Sequence, residues 1–110
     1  MNKVFLTGNL TKEPNISYTT SSDPLCVCKM TVAVGDGYGD KKQTYFIPVT
    51  VFGKAAENCE RFLDKGSKVC VSGKIVTGSY EKKDGQKVYT TDVIADSIEF
   101  LSSKNDWKMP

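Results

Sequence analysis

At 110 residues the chain has room for one domain and little else. Fifteen Lys and Arg against thirteen Asp and Glu leave a formal net charge of +2, too balanced for a histone-like polycation. Histidine is absent, which excludes Ser-His-Asp and Cys-His catalysis and any zinc site built on imidazole. Eleven Val, ten Thr and five Ile stand against nine Leu and Ala, so strands should dominate. The opening Met1-Asn2-Lys3-Val4-Phe5-Leu6 carries no signal-peptide core, and no later stretch is apolar for long enough to span a bilayer. A soluble, cytoplasmic protein is expected.

Residues 3–10 read as a first strand, followed by a polar stretch through Pro14. Residues 25–34 read as a second, with Cys26, Cys28, Met30, Val32 and Val34 on one parity. Residues 35–42 are rich in glycine and charge and read as a loop. Residues 43–52 form a third strand, in which Pro48 predicts a bulged or edge-like segment because proline has no N–H for the ladder. Over 54–65 the period changes: Ala55, Ala56, Cys59, Phe62 and Leu63 make a helical stripe, with Gly66 placed to close the helix in a left-handed conformation. Val69, Val71, Gly73 and Ile75 then alternate with polar or small residues through Tyr80. Asp84-Gly85 marks a hairpin turn, and residues 87–101 return as the last strand. Residues 102–110 form a short tail without pattern.

Three strands, a short helix and a long hairpin suggest an all-β chain. A small closed barrel would hide its edges, and a helix between strands three and four is the OB-fold arrangement: a five-stranded Greek-key barrel. Pattern alone leaves a five-stranded α+β sandwich open.

On the third strand Tyr45, Ile47, Val49 and Val51 form the natural core face, which turns Phe46, Pro48, Thr50 and Phe52 the other way. The same parity turns Ser72, Lys74, Val76, Gly78 and Tyr80 outward on the fourth strand, and Lys29, Thr31 and Ala33 outward on the second. Lysines mixed with spaced rings suit a nucleic-acid strand, the ammonium groups meeting phosphates while the rings receive bases. An ordinary barrel exterior with an oligomer contact explains the same rows equally well.

Four collinear segments carry a resemblance: Asn2-Lys3-Val4-Phe5-Leu6-Thr7-Gly8-Asn9-Leu10, the stretch from Phe46 to Glu57, Phe62-Leu63-Asp64-Lys65-Gly66-Ser67, and Tyr89-Thr90-Thr91-Asp92-Val93. In that order, over about residues 2–101, the chain resembles the bacterial and phage single-stranded DNA-binding proteins. The resemblance implies an OB-fold domain over 1–101, usually a homotetramer, that binds and protects single-stranded DNA without sequence preference in replication, recombination and repair. It places base-stacking roles on Tyr38, Phe46, Phe52 and Tyr80. Lys3 and Lys54 lie within matching motifs and would contact phosphates; Lys29, Lys74, Lys82 and Lys83 join them by face and loop position. Several stacking positions that are commonly tryptophan in bacterial members are Tyr or Phe here, and smaller rings overlap a base less. Many members continue into a flexible linker and an acidic tip that recruits other proteins. The sequence ends at Asp106-Trp107-Lys108-Met109-Pro110, as a trimmed product or a shorter branch would, which leaves the protein partners of such a tip open.

Other readings fare worse. Residues 35–40 lack the glycine spacing of a phosphate loop, and a calcium loop starting at Asp36 has Ile47 where its glutamate is needed. Cys26, Cys28, Cys59 and Cys70 lack zinc-knuckle spacing and read as small hydrophobes in a reducing compartment, with Cys70, on the outward row, the thiol to test for reactivity. Asp36, Asp40 and Asp84 are the only candidates for a nuclease ion, and loops favour Asp for turn chemistry anyway. No cofactor, metal or catalytic residue is expected. The alternative function is an OB-fold RNA binder or a primosomal accessory protein.

Overall fold

The computed structural model describes residues 1–102. In chain order they form β1 (Val4–Leu10), β2 (Asn15–Tyr18), β3 (Cys26–Asp36), a 3-10 turn (Gly39–Lys41), β4 (Gln43–Phe52), α1 (Lys54–Phe62), β5 (Lys68–Glu81) and β6 (Lys87–Phe100). Apart from Ser102, the tail expected over 102–110 lies outside the described residues.

The strands are ordered β1-β5-β6-β4-β3-β2, and β1 pairs a second time with β3 at Asn9↔Ala33 and Leu10↔Val32. That second pairing closes β1, β5, β6, β4 and β3 into a barrel. All the contacts are antiparallel except β4 with β6, which run parallel at Val49↔Val93 and Thr50↔Ile94. Five wall strands with a helix between the third and fourth make the OB arrangement expected from the element order. The difference is the extra strand β2, which takes the part of the β3 edge that β1 leaves free, Cys26 to Lys29. At four residues it is too short to carry a readable period, and its place is set by the spare hydrogen bonds of β3.

Inward alternation builds the core from Leu10, Met30, Val32, Val49, Val51, Val69, Val71 and Val93, all buried. Helix α1 follows the C-terminal end of β4 and presents Ala56 and Cys59, with Leu63 just beyond, to that end of the barrel. The helix stops at Phe62, earlier than its stripe suggests, because Leu63 is already extended (φ −112°, ψ 145°). Gly66 (φ +92°) therefore does not cap the helix. It sits in the turn closed by Ser67 N–H donating to the Asp64 carbonyl at 3.1 Å. The buried Ser67 hydroxyl donates to Asp64 Oδ1 at 2.9 Å and accepts from Asp64 N–H at 3.0 Å, while Leu10 and Gly66 tie the turn to β1.

Pro48 introduces no bulge: β3 and β4 stay in register from Val27↔Phe52 to Asp36↔Gln43. The edge-like character does appear on its other side, since pairing with β6 begins only at Val49. The register shift falls instead in β6, where Ser72 faces Ser97 but Gly73 faces Ala95, leaving Asp96 unopposed.

Because β4 and β6 run parallel, the β3–β4 and β5–β6 hairpins leave the barrel at the same end, opposite α1. Strand pairing runs through Gly35 and Asp36, so the first loop is shorter than the 35–42 expected. Tyr45 and Ile75, read as core by alternation, lie on these projecting arms at 48% and 44% exposure, because the inward face has no opposite wall there.

A Cβ at Gly73 would fall on the Ile94 carbonyl oxygen, whereas Gly35 has open space and an ordinary φ. Gly73→Ala should destabilise the protein by about 1–3 kcal/mol, and Gly35→Ala should stay within about 0.5 kcal/mol of the parent. Urea unfolding of both checks this.

Candidate nucleic-acid interface

Pleating alone separates the two faces of β4. Val49 and Val51 are 1% exposed, while Phe46 and Phe52, on the opposite parity of the same strand, are 65% and 43% exposed. Across the ladder Phe46 faces Ala33, Pro48 faces Thr31, Thr50 faces Lys29 and Phe52 faces Val27. Partners on one ladder share a face. The two rings, roughly 20 Å apart at strand rise, thus flank a stretch of small and polar residues with the exposed Lys29 between them.

The parallel contact carries this face onward. Thr50 lies beside Ile94, which faces Lys74; the next outward pairs are Val76 with Asp92, Gly78 with Thr90 and Tyr80 with Val88. Phe46, Phe52, Lys29, Lys74 and Tyr80 therefore belong to one continuous outer surface over β3, β4, β6 and β5, with Tyr80 out on the arm. Tyr38 stands at the other hairpin tip at 88% exposure, between Gly37 and Gly39, both at positive φ. Lys82 and Lys83 are exposed in the β5–β6 turn, which closes through Gly85 N–H to the Lys82 carbonyl at 2.9 Å. Lys54 opens α1, two residues after Phe52. Asp36 and Asp40 belong to one hairpin and Asp84 to the other, where its carboxylate accepts from Gln86 N–H at 3.0 Å.

Sequence reasoning missed a groove on this surface. A cleft of about 240 Å³ runs between Lys12, Asn15 and Lys29 on one side and Asp92 on the other, floored by Pro48 and Thr50. Lys12 sits in a connection with no pattern, and the pairing of β1 with β3, carried on by Thr11 N–H donating to the Thr31 carbonyl at 3.0 Å, brings it here. A second, mainly apolar cleft of about 320 Å³ opens where the arms diverge, among Leu6, Phe46, Ile47, Ile75 and Val93; Pro48 and Asp92 line both clefts.

Lys3 has an acid within reach. Its ammonium donates to Asp96 Oδ2 at 2.7 Å and lies 5.7 Å from the Phe5 ring centre. The bulge in β6 turns Asp96 out to meet it, so this cation is already paired. Phe5 and Tyr89, at 70% and 75% exposure, are further open rings that the parity argument did not select; Lys87 lies 5.7 Å over Tyr89.

Among the cysteines, Cys26, Cys28 and Cys59 are buried, and Cys70 is half-buried. A hydrogen bond with Cys28, followed by burial, pushes the Cys59 thiol up, and burial does the same at Cys26. Buried protonated thiols are poor nucleophiles.

The model of the single-strand binding protein family matches residues 1–101. A single-stranded DNA-binding protein 1 of Staphylococcus aureus strain Mu50 is 42% identical over 108 residues, covering 96% of this chain and 68% of its own. A single-stranded DNA-binding protein of Clostridium perfringens strain 13 is 42% identical over 105 residues, covering 96% and 69%. The single-stranded DNA-binding protein 3 of Listeria innocua is 41% identical over 110 residues, covering 96% and 67%.

The Lys3–Asp96 pair also sets a pH dependence. Hydrogen bonding to Lys3 holds the Asp96 carboxyl below the usual carboxylate range. A lowered folded-state value contributes stability above the unfolded pKa of about 3.9, and that contribution is lost as pH falls through the folded value. Asp96→Asn should therefore lower Tm slightly at neutral pH and converge on the parent as the pH falls through the lowered folded-state value, and the neutral-pH difference should shrink in high salt. Thermal unfolding at two pH values checks this.

Proposed function

The chain belongs to the single-strand binding protein family, and we propose that it holds and protects single-stranded DNA during replication, recombination and repair. Residues 1–101 form the binding unit, and the reaction is association without bond breaking. What supports the reading is the joint exposure of Phe46, Phe52 and Tyr80 on one outer surface interleaved with Lys29 and Lys74. A folded protein gains by burying such rings, and a path for unpaired bases needs them open.

Rings and cations divide the work. Base stacking on Phe46, Phe52, Tyr80 and Tyr38 depends little on which base arrives, because every base has a π-face. Lys29, Lys74, Lys54, Lys82 and Lys83 meet phosphates and release counterions, and Lys12 joins them across the groove from Asp92. Lys3 is left out, since Asp96 already holds it. Self-association as a homotetramer belongs to the same proposal; Phe5, exposed on β1 away from the β3–β4 ladder, suits a protein contact. No helix among the described residues is long and apolar enough to cross a membrane, and a cytoplasmic location is proposed.

The experiment is a titration of labelled oligothymidine at several salt concentrations, with RNA and duplex DNA of equal length as competitors and light scattering for subunit count. Phe46→Ala and Tyr80→Ala should each weaken binding by about 1–3 kcal/mol while leaving the unfolding transition in place. Lys29→Ala should reduce the slope of log affinity against log salt by about 0.7. Preferential competition by RNA would favour the RNA-binding alternative. Loss of folding with residual affinity intact would return the rings to a core or an interface.

A further inference from the structure

Asp92 is an anomaly on a surface meant for a polyanion. It is half-buried, lines both clefts, and is the only carboxylate among the residues that line either of them. Among the described residues its side chain has no hydrogen bond or ion pair. Its ladder partner on β5 is Val76, which has no side-chain donor. On the β4 side the residue before the parallel contact is Pro48, whose ring offers no side-chain donor. Lys12 and Lys29 lie across the groove, beyond salt-bridge distance. An ionised carboxylate only accepts hydrogen bonds, so Asp92 faces the groove with acceptor capacity that no described protein group fills.

We infer that Asp92 reads the edge of a base seated in this groove and selects guanine at that one step of an otherwise sequence-tolerant path. The inference rests on the DNA-binding reading above. Guanine offers two adjacent donors on its Watson–Crick edge, the N1–H and the 2-amino group, and both oxygens of one carboxylate can accept them together. Adenine and cytosine place a ring-nitrogen acceptor beside their single amino group, which turns a lone pair toward the second carboxylate oxygen. Thymine flanks its one N–H with two carbonyl acceptors, the least favourable arrangement of the four. Lys12 and Lys29 across the groove would hold the phosphates of the same nucleotide, which offsets the repulsion that Asp92 alone exerts on the backbone.

The test is a titration of the full chain with short labelled oligothymidines in which one central base is thymine, adenine, guanine or hypoxanthine. Hypoxanthine keeps the purine ring and the N1–H but lacks the 2-amino group, so it separates edge reading from stacking. The expected result is about fivefold or tighter binding of the guanine oligonucleotide over the all-thymine one, with hypoxanthine between them. Asp92→Asn should erase the guanine-over-hypoxanthine difference while retaining affinity for oligothymidine. Equal binding of guanine and hypoxanthine by the parent protein overturns the inference without any variant, so a misfolded Asp92→Asn does not leave it undecided. An Asp92→Asn that tightens on all four oligonucleotides alike also overturns it, because Asp92 is then only a repelling charge. If the parent binds none of the oligonucleotides, the DNA-binding reading itself fails, and the inference with it.

Discussion

A β-strand cannot turn every side chain inward. The pleat sends Ile47, Val49 and Val51 of β4 toward the core, and Phe46, Pro48, Thr50 and Phe52 are then obliged to face out. A one-residue slip in register would bury the rings and expose the valines, so the aliphatic core holds the aromatic surface in place. Barrel closure strengthens the constraint. β1 reaches β3 past Gly8, where a Cβ would strike the Ala33 carbonyl oxygen, and Gly73 lets β5 lie close to β6 at the Ile94 carbonyl in the same way. The outward placement of these rings is therefore a consequence of the core.

Charge on the barrel exterior is sorted by backbone irregularities more than by composition. With a formal net charge of +2, the chain has nearly as many acids as bases to place. The bulge at Asp96 removes one acid by pairing it with Lys3, away from the β3–β4 ladder. Asp92 keeps its outward parity opposite Val76 and lines the groove beside Pro48, with no side-chain partner among the described residues. The bulge in β6 thus sets which acid on that strand is neutralised.

The large-scale fold was legible because it rests on period. Alternation marks β3 and the first half of β5, the helical stripe marks α1, and Asp84-Gly85 marks a turn that the structure forms. What escaped were features settled by non-local geometry. β2 exists because β1 leaves part of the β3 edge unpaired, and nothing within residues 15–18 announces it. Tyr45 and Ile75 carry inward parity but lie beyond the point where a wall stands opposite, and parity does not report strand overhang. Of the cations, Lys29 and Lys74 fall on the surface that alternation assigns them, whereas Lys3 is taken by an acid 93 positions away. Lys12 enters the groove from a connection that no local pattern distinguishes.

The parallel meeting of β4 with β6 has one more effect on how a flexible strand would be received. It sends both hairpins off the same end of the barrel, so Tyr38 and Tyr80 extend from a wall that already carries Phe46. The arms are exposed on both faces and bury little, which places them at the low end of local stability, while Phe46 and Phe52 sit on strands anchored by the core. In the proposed binding mode, stacking on β4 would meet a preorganised surface, and contacts on the arms would have to repay the ordering of the arms themselves. A strand should engage the wall first and recruit the tips second. Glycines at positive φ on both sides of Tyr38 suit that order, because they let the tip adjust to a strand whose position the wall has already set.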